Sequence, residues 1–186
     1  MRKTLAASLL ALAAGVAGAE DLDKPRLLVA SPQLQGVYSR TALLVVPMQG
    51  QHIGFILNRS TDLKLGTLFP EHAPSAKVIE PLYFGGPEMS GSIFAMVRRD
   101  PGGKSMALFD DIFVTASAQG VDAIIEQTPN DARYFAGFVG WQPGELQKEI
   151  ESGFWHVADP DAGVIFSQDP RTLWEALVMR FRQGYL

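Results

Sequence analysis

The alternation of apolar and polar positions changes period several times along residues 20–186. Short runs rich in β-branched and aromatic residues predict strands at Arg26–Ala30, Thr41–Pro47, His52–Leu57, Leu82–Phe84, Ser92–Arg98, Met106–Phe109, Ile112–Thr115, Tyr134–Val139 and Val164–Phe166. Met48-Gln49-Gly50-Gln51 reads as a hairpin turn between the second and third of these, because Gly accepts a positive φ. Asp100-Pro101-Gly102-Gly103 separates two later strands. Helical spacing appears in three places. Ser117 caps a predicted helix through Glu126, with Val121, Ile124 and Ile125 on one face. Pro143 at a first helical position opens a second, carrying Leu146 and Ile150 and ending at Gly153. Asp169-Pro170 caps a third, whose Leu173, Trp174, Leu177, Val178 and Phe181 follow the i, i+3, i+4 rule. Asp62–Phe69 is a weaker fourth. Strands outnumber helices without alternating regularly with them, so the expected class is α+β, a single domain with a mixed sheet and three to four helices.

Residues 1–19 read differently. Met1-Arg2-Lys3 is basic, Leu5 to Val16 is apolar with no polar face, and Ala17-Gly18-Ala19 supplies small residues before Glu20. This is the pattern of a cleaved signal peptide, and Arg2-Lys3 is not a twin arginine. The mature chain, residues 20–186, is then expected outside the cytoplasmic membrane, in the periplasm. It has no second apolar stretch of membrane length.

Composition narrows the chemistry. The chain has 186 residues, 47% apolar and 19% charged, which suits one folded domain and excludes disorder. With no cysteine there is no disulfide, thiolate metal site or thiol nucleophile. The net charge is −4; loss of Arg2 and Lys3 leaves fourteen basic residues against twenty acidic ones, or −6. A basic surface for nucleic acid is therefore not expected. Gly103-Lys104-Ser105 resembles the end of a P-loop, but Arg98 stands where its first Gly belongs and a strand follows instead of a helix. No G-x-G-x-x-G or G-x-S-x-G occurs. His52, His72 and His156 are isolated, and Asp110-Asp111 and Asp159-Pro160-Asp161 read as turns. No metal, cofactor or catalytic constellation is expected.

Four segments are more particular. They are Leu27-Leu28-Val29-Ala30-Ser31-Pro32-Gln33-Leu34; Gly54-Phe55-Ile56-Leu57-Asn58-Arg59; Gly85-Gly86-Pro87; and Gly137-Phe138-Val139-Gly140-Trp141-Gln142-Pro143-Gly144-Glu145-Leu146 with Glu149 and Trp155 beyond. Their order and content resemble the AlgH/YqgE family of bacterial proteins, across roughly Arg26 to Leu177. The family patterns run L-V-A-x-P-x-L, G-x-x-L-N-R/K-P, G-G-P and G-Y-A-G-W-x-x-G-Q-L-E. Here Gln35-Gly36-Val37-Tyr38 replaces a D-P-x-F step, Ser60 replaces a Pro, Phe138 and Val139 replace Tyr and Ala, and Glu145 replaces Gln. The resemblance implies a bent sheet partly folded on itself. It carries no catalytic residues, and its members are generally cytosolic, unlike the export expected here.

The motif residues themselves suggest a ligand site. Asn58 and Arg59 offer planar donors at a strand end. Gly85, Gly86 and Pro87 form a turn that allows close backbone approach. Gly140 and Gly144 flank a helix start whose free N–H groups suit an anion, beside the flat Trp141. If the three segments meet around a concavity, they would hold a small acidic ligand or a carboxylate of a protein partner. The expected function is a non-catalytic periplasmic binding or regulatory module. A cofactor-free periplasmic hydrolase using scattered carboxylates and Arg59 is the alternative. A transcriptional regulator, as the family's label suggests, ranks last because of the acidic charge.

Overall fold

A computed structural model describes residues 21–185. The expected leader at residues 1–19 lies outside them.

The first three strands, β1 (Arg26–Ala30), β2 (Ala42–Met48) and β3 (Gln51–Ile56), form an antiparallel meander. Met48 pairs with Gln51, which leaves Gln49 (φ 50°) and Gly50 (φ 80°) as a two-residue turn. Positive φ at both positions is the hairpin geometry that matches strand twist. The expected hairpin is present.

The remaining strands are β4 (Tyr83–Phe84), β5 (Glu88–Arg98), β6 (Met106–Phe109), β7 (Ile112–Thr115), β8 (Ala132–Trp141) and β9 (Trp155–Ala158). They complete one nine-stranded sheet in the order β6-β7-β5-β8-β3-β2-β1-β9, with β4 lying on β8. Every pairing is antiparallel except β4–β8, and that one pairing makes the sheet mixed. β8 is the hinge of the architecture. Its first part pairs with β5 and its last residues, Val139 to Trp141, pair with β3. Between the two, Gly137 adopts φ 68° and β5 slips register between Glu88 and Ile93. A bulge opposite a left-handed residue bends a strand, so the sheet curls into a half-barrel there.

Alternation along the strands divides the core three ways. Leu27, Val29, Leu44, Phe55, Met96 and Phe135 point to one face, where helix α5 (Leu173–Gln183) packs Leu173, Leu177 and Val178 against them. Leu28, Leu43, Val45, Val139 and Trp141 point to the other face under α3 (Glu145–Glu151). Ala95, Val97 and Tyr134 are covered by α1 (Leu65–Leu68) and α2 (Ala118–Gln127). Arg133 is 1% exposed and crosses from sheet to loop. Its guanidinium lies over the Tyr83 ring, pairs with Glu80, and donates to the carbonyls of Ile165 and Ser167.

The α+β class and bent mixed sheet match the expectation; several elements do not. Val164–Phe166 is not a strand but the end of α4 (Ala162–Ile165), whose N-cap Asp161 accepts from the Gly163 N–H at 2.7 Å. Trp155–Ala158, unassigned from sequence, is β9 at the sheet edge. Helix α3 begins at Glu145, two residues after Pro143, because Gly144 stands at φ 77°. Helix α5 begins at Leu173 with Thr172 as cap, not at Asp169. The described residues hold five helices and a 3-10 turn at Ala73–Lys77, against the three to four expected.

Candidate functional site

Asn58 follows β3 and continues its ladder with a side chain. Its Oδ1 accepts from the Ala42 N–H at 2.9 Å and its Nδ2 donates to the Arg40 carbonyl at 2.9 Å. The amide thus satisfies the backbone where Arg40 turns at φ 56° into β2. Arg59 reaches the same segment further back. Its guanidinium donates to the Val37 carbonyl, and its own carbonyl accepts from the Phe84 N–H at 2.8 Å. Burial holds this guanidinium below its ordinary value, partly offset by Tyr38.

The glycine turn is a backbone contact. The Gly85 N–H donates to the Ala136 carbonyl and the Gly85 carbonyl accepts from the Ile56 N–H, both at 2.9 Å, so this residue joins β3 to β8. A Cβ on Gly85 would stand 2.2 Å from the Gly137 oxygen, and one on Gly86 would stand 2.1 Å from the Phe138 carbonyl carbon. Pro87 is exposed beyond them.

At the third segment Gly140 is exposed on β8, with Glu88 alongside. Trp141 is 4% exposed and lies across Gly54 of the neighbouring strand, where a Cβ would be 2.8 Å from its ring. Its indole N–H donates to Glu149 at 2.9 Å. Glu145 accepts from the Gln142 N–H at 2.9 Å, so the chain's own carboxylate serves the turn that Gly144 closes. Tyr38 lies beside this region. Burial raises its phenol above the ordinary value, and the charges of Glu149 and Glu88 add to that while Arg59 opposes it.

The three segments are therefore neighbours: Arg59 bonds to β4, the glycine turn packs on β8, and Trp141 ends β8. They do not line one concavity. A hollow of about 680 Å3 is lined by Asn58, Arg59, Ser60, Thr61, Phe84 and Arg171, with Asp62 and Pro81 completing it. Gly85, Gly86, Pro87, Gly140, Trp141 and Gly144 lie outside its lining. Arg171, absent from the sequence reading, arrives from the loop before α5; nothing in its local pattern marked it. Neither Arg59 nor Arg171 forms an ion pair among the described residues. The Thr61 hydroxyl already donates to the Leu82 carbonyl at 2.7 Å, so the arrangement offers two cationic planar donors and the Ser60 hydroxyl to one incoming anionic group.

Acid–base chemistry has less to work with. Asp21 and Asp100 are both lowered by hydrogen bonds, from Lys24 and from Ser105 and Gly102 respectively; Asp21 is half-exposed and Asp100 exposed. Among the described residues no three His, Asp or Glu side chains group to hold a metal ion, and no helix is long and apolar enough to cross a membrane.

The chain is thus a small α+β domain built on a curled half-barrel, with helices on both faces and an Asn-Arg strand end closed on a double-glycine turn. The AlgH-like family model matches residues 27–185, and the chain belongs to that family. It is 31% identical over 159 residues to a UPF0301 protein of Chlorobium limicola, covering 82% of this chain and 83% of that protein. A UPF0301 protein of Rickettsia typhi is 29% identical over 157 residues, covering 80% and 83%. Among solved structures, protein DIP2367 of Corynebacterium diphtheriae superposes with a TM-score of 0.70 at 24% identity, over 87% and 88% of the two chains. The AlgH protein of Pseudomonas aeruginosa superposes with a TM-score of 0.69 at 20% identity, over 88% and 89%. These likenesses establish the fold.

Proposed function

We propose that this member of the family is an exported, non-catalytic binding module that holds one anionic group, a carboxylate or phosphate of a small ligand or protein partner, between Arg59 and Arg171. Two guanidiniums in one hollow of an acidic chain, neither ion-paired among the described residues although Asp62 shares the lining, are the observation that supports this reading. Arg59 is half-buried, so an anion there meets a charge poorly served by water. Ser60 adds a hydroxyl donor at the same rim. The basic, apolar and small pattern of residues 1–19 supports export, and a local cationic hollow on a −6 background favours single anionic groups over long polyanions.

The test is NMR titration of the mature chain with succinate and with inorganic phosphate. The expected result is saturable shifts of the Asn58–Asp62 and Arg171 amides, lost in both Arg59→Ala and Arg171→Ala while thermal stability changes little. N-terminal sequencing of protein from the periplasmic fraction should begin near Glu20. Retention of Met1 on a cytosolic product would overturn the exported half, and unshifted amides with both anions would overturn the binding half.

A further inference from the structure

A second hollow, of about 420 Å3, lies apart from the two arginines, between α1, the 3-10 turn, α2 and β5. It has a structural origin. β5 loses register with β8 between Glu88 and Ile93, and Gly91 inside that irregularity presents no side chain; a Cβ there would meet nothing within 4 Å. The wall is made by buried Leu65, Val121 and Ile125, with Ile93 half-buried and Phe69 an exposed lip. Its size falls within the roughly 300–1,000 Å3 typical of small-molecule sites, which are likewise mostly apolar with a few convergent polar groups.

The polar groups are few. His72 and Asp122 are the titratable residues of the lining, and no lysine or arginine takes part. Glu126, one turn beyond Asp122 on α2, brings its Oε1 to 4.0 Å from His72 Nε2. On the other side of the ring, His72 Nδ1 shares a hydrogen bond of 2.8 Å with the Ser75 hydroxyl. Ser75 is buried in the wall of the same hollow, and its hydrogen bond orients the imidazole. The serine, the histidine and the Glu126 carboxylate together fix the rim.

We propose that this cavity binds a small amphiphilic cation, with a compact aromatic or branched aliphatic body in the hollow and an ammonium group at the Asp122–Glu126 rim. The apolar wall gains by displacing water from such a body, and a rim carrying Asp122 and Glu126 beside His72, with no lysine or arginine in the lining, selects positive over negative charge. The site takes the opposite charge from the arginine hollow and uses different elements, so the two readings stand or fall separately.

The experiment compares phenethylamine with 3-phenylpropanoate, which share ring and chain and differ in charge, by heteronuclear NMR titration of the full mature chain. Phenethylamine is expected to shift the Ile93, Val121 and Ile125 amides saturably, and 3-phenylpropanoate to bind at least about tenfold more weakly. Asp122→Asn should weaken the amine about threefold, the scale of an exposed ion pair, and leave the melting temperature in place. Ala118→Trp, placed at an exposed position on the rim, should fill the hollow and abolish binding. Equal affinity for the two probes, no saturable shift with either, full amine affinity in Asp122→Asn, or undiminished binding in Ala118→Trp would each overturn the proposal.

Discussion

Trp141 and Trp155 donate their indole N–H groups to the same carboxylate oxygen of Glu149, at 2.9 and 2.7 Å. One indole closes β8 and the other opens β9, while Glu149 sits on the helix between them. A single side chain therefore ties both ends of the α3 connection to the sheet, and Trp141 and Trp155 are both buried in the same core cluster.

Removing that carboxylate strands two buried donors. Glu149→Ala should lower unfolding stability by about 2–3 kcal/mol, because each unsatisfied donor costs about 1–3 kcal/mol and water reaches the half-buried gap in part. Glu149→Gln keeps an acceptor oxygen and should cost under about 1.5 kcal/mol. Urea denaturation read by tryptophan fluorescence measures both; equal losses would mean that the charge, not the acceptor, holds the indoles.

The glycines of the family motifs should separate sharply by position. Gly86→Ala places a Cβ 2.1 Å from the Phe138 carbonyl carbon, where only backbone movement can relieve it. It should cost more than about 3 kcal/mol or prevent folding, as large losses come from such named clashes. Gly140→Ala meets nothing nearer than 3.6 Å, and alanine restricts the unfolded chain more than glycine. It should be neutral or stabilising within about 1 kcal/mol. Thermal melts of the two variants side by side make the comparison, and similar losses would refute it.

Most strands were legible because alternation and β-branched runs coincide with them, as in β1, β2, β3 and β7. β9 was not, since four residues at a sheet edge carry too little period and their strand state depends on pairing with β1. Val164–Phe166 misled for a related reason: three consecutive apolar residues have no period, and the local Asp161-Ala162-Gly163 cap outweighed their β propensity. The motif residues were legible as unusual, but not their work. Gly85 and Gly86 are glycines because β8 passes against them, and Asn58 is an asparagine because two backbone groups of Arg40 and Ala42 need it. Each cause is a tertiary partner. Arg171 was invisible for that reason too, since its place beside Arg59 exists only once α5 has docked.

The docking of α5 can be weighed directly. Leu177 is 1% exposed in the central cluster, with Leu173 and Val178 beside it. Leu177→Ala should cost about 2–5 kcal/mol, the range for truncating a fully buried leucine. Met179, on the outward side of the same helix and 57% exposed, should tolerate Ala within about 0.5 kcal/mol. Chemical denaturation of both variants tests the helix face, and a Leu177→Ala loss under about 0.5 kcal/mol would show the helix undocked.

Alkaline stability should report the buried Tyr83 and Tyr134 phenols and the half-buried Tyr38. Burial is the main cause that lifts Tyr38, Tyr83 and Tyr134 above the ordinary value of 10.0, Tyr134 the furthest, with Asp131 adding to it. In the unfolded chain these phenols ionise near that ordinary value; in the folded chain they keep their protons to higher pH. Between the two, the unfolded state binds fewer protons, so stability falls as pH rises. The contribution is complete below about pH 10 and is lost above it, at up to about 1.4 kcal/mol per pH unit for each phenol. Tyr134→Phe removes the largest of these contributions along with its hydrogen bond to the Pro129 carbonyl at 3.1 Å. The variant should be about 1 kcal/mol less stable at neutral pH yet lose stability less steeply above pH 10. Urea midpoints measured from neutral to strongly alkaline pH give both slopes, with tyrosinate absorbance marking ionisation. Parallel curves for the two proteins would mean that Tyr134 ionises while still folded.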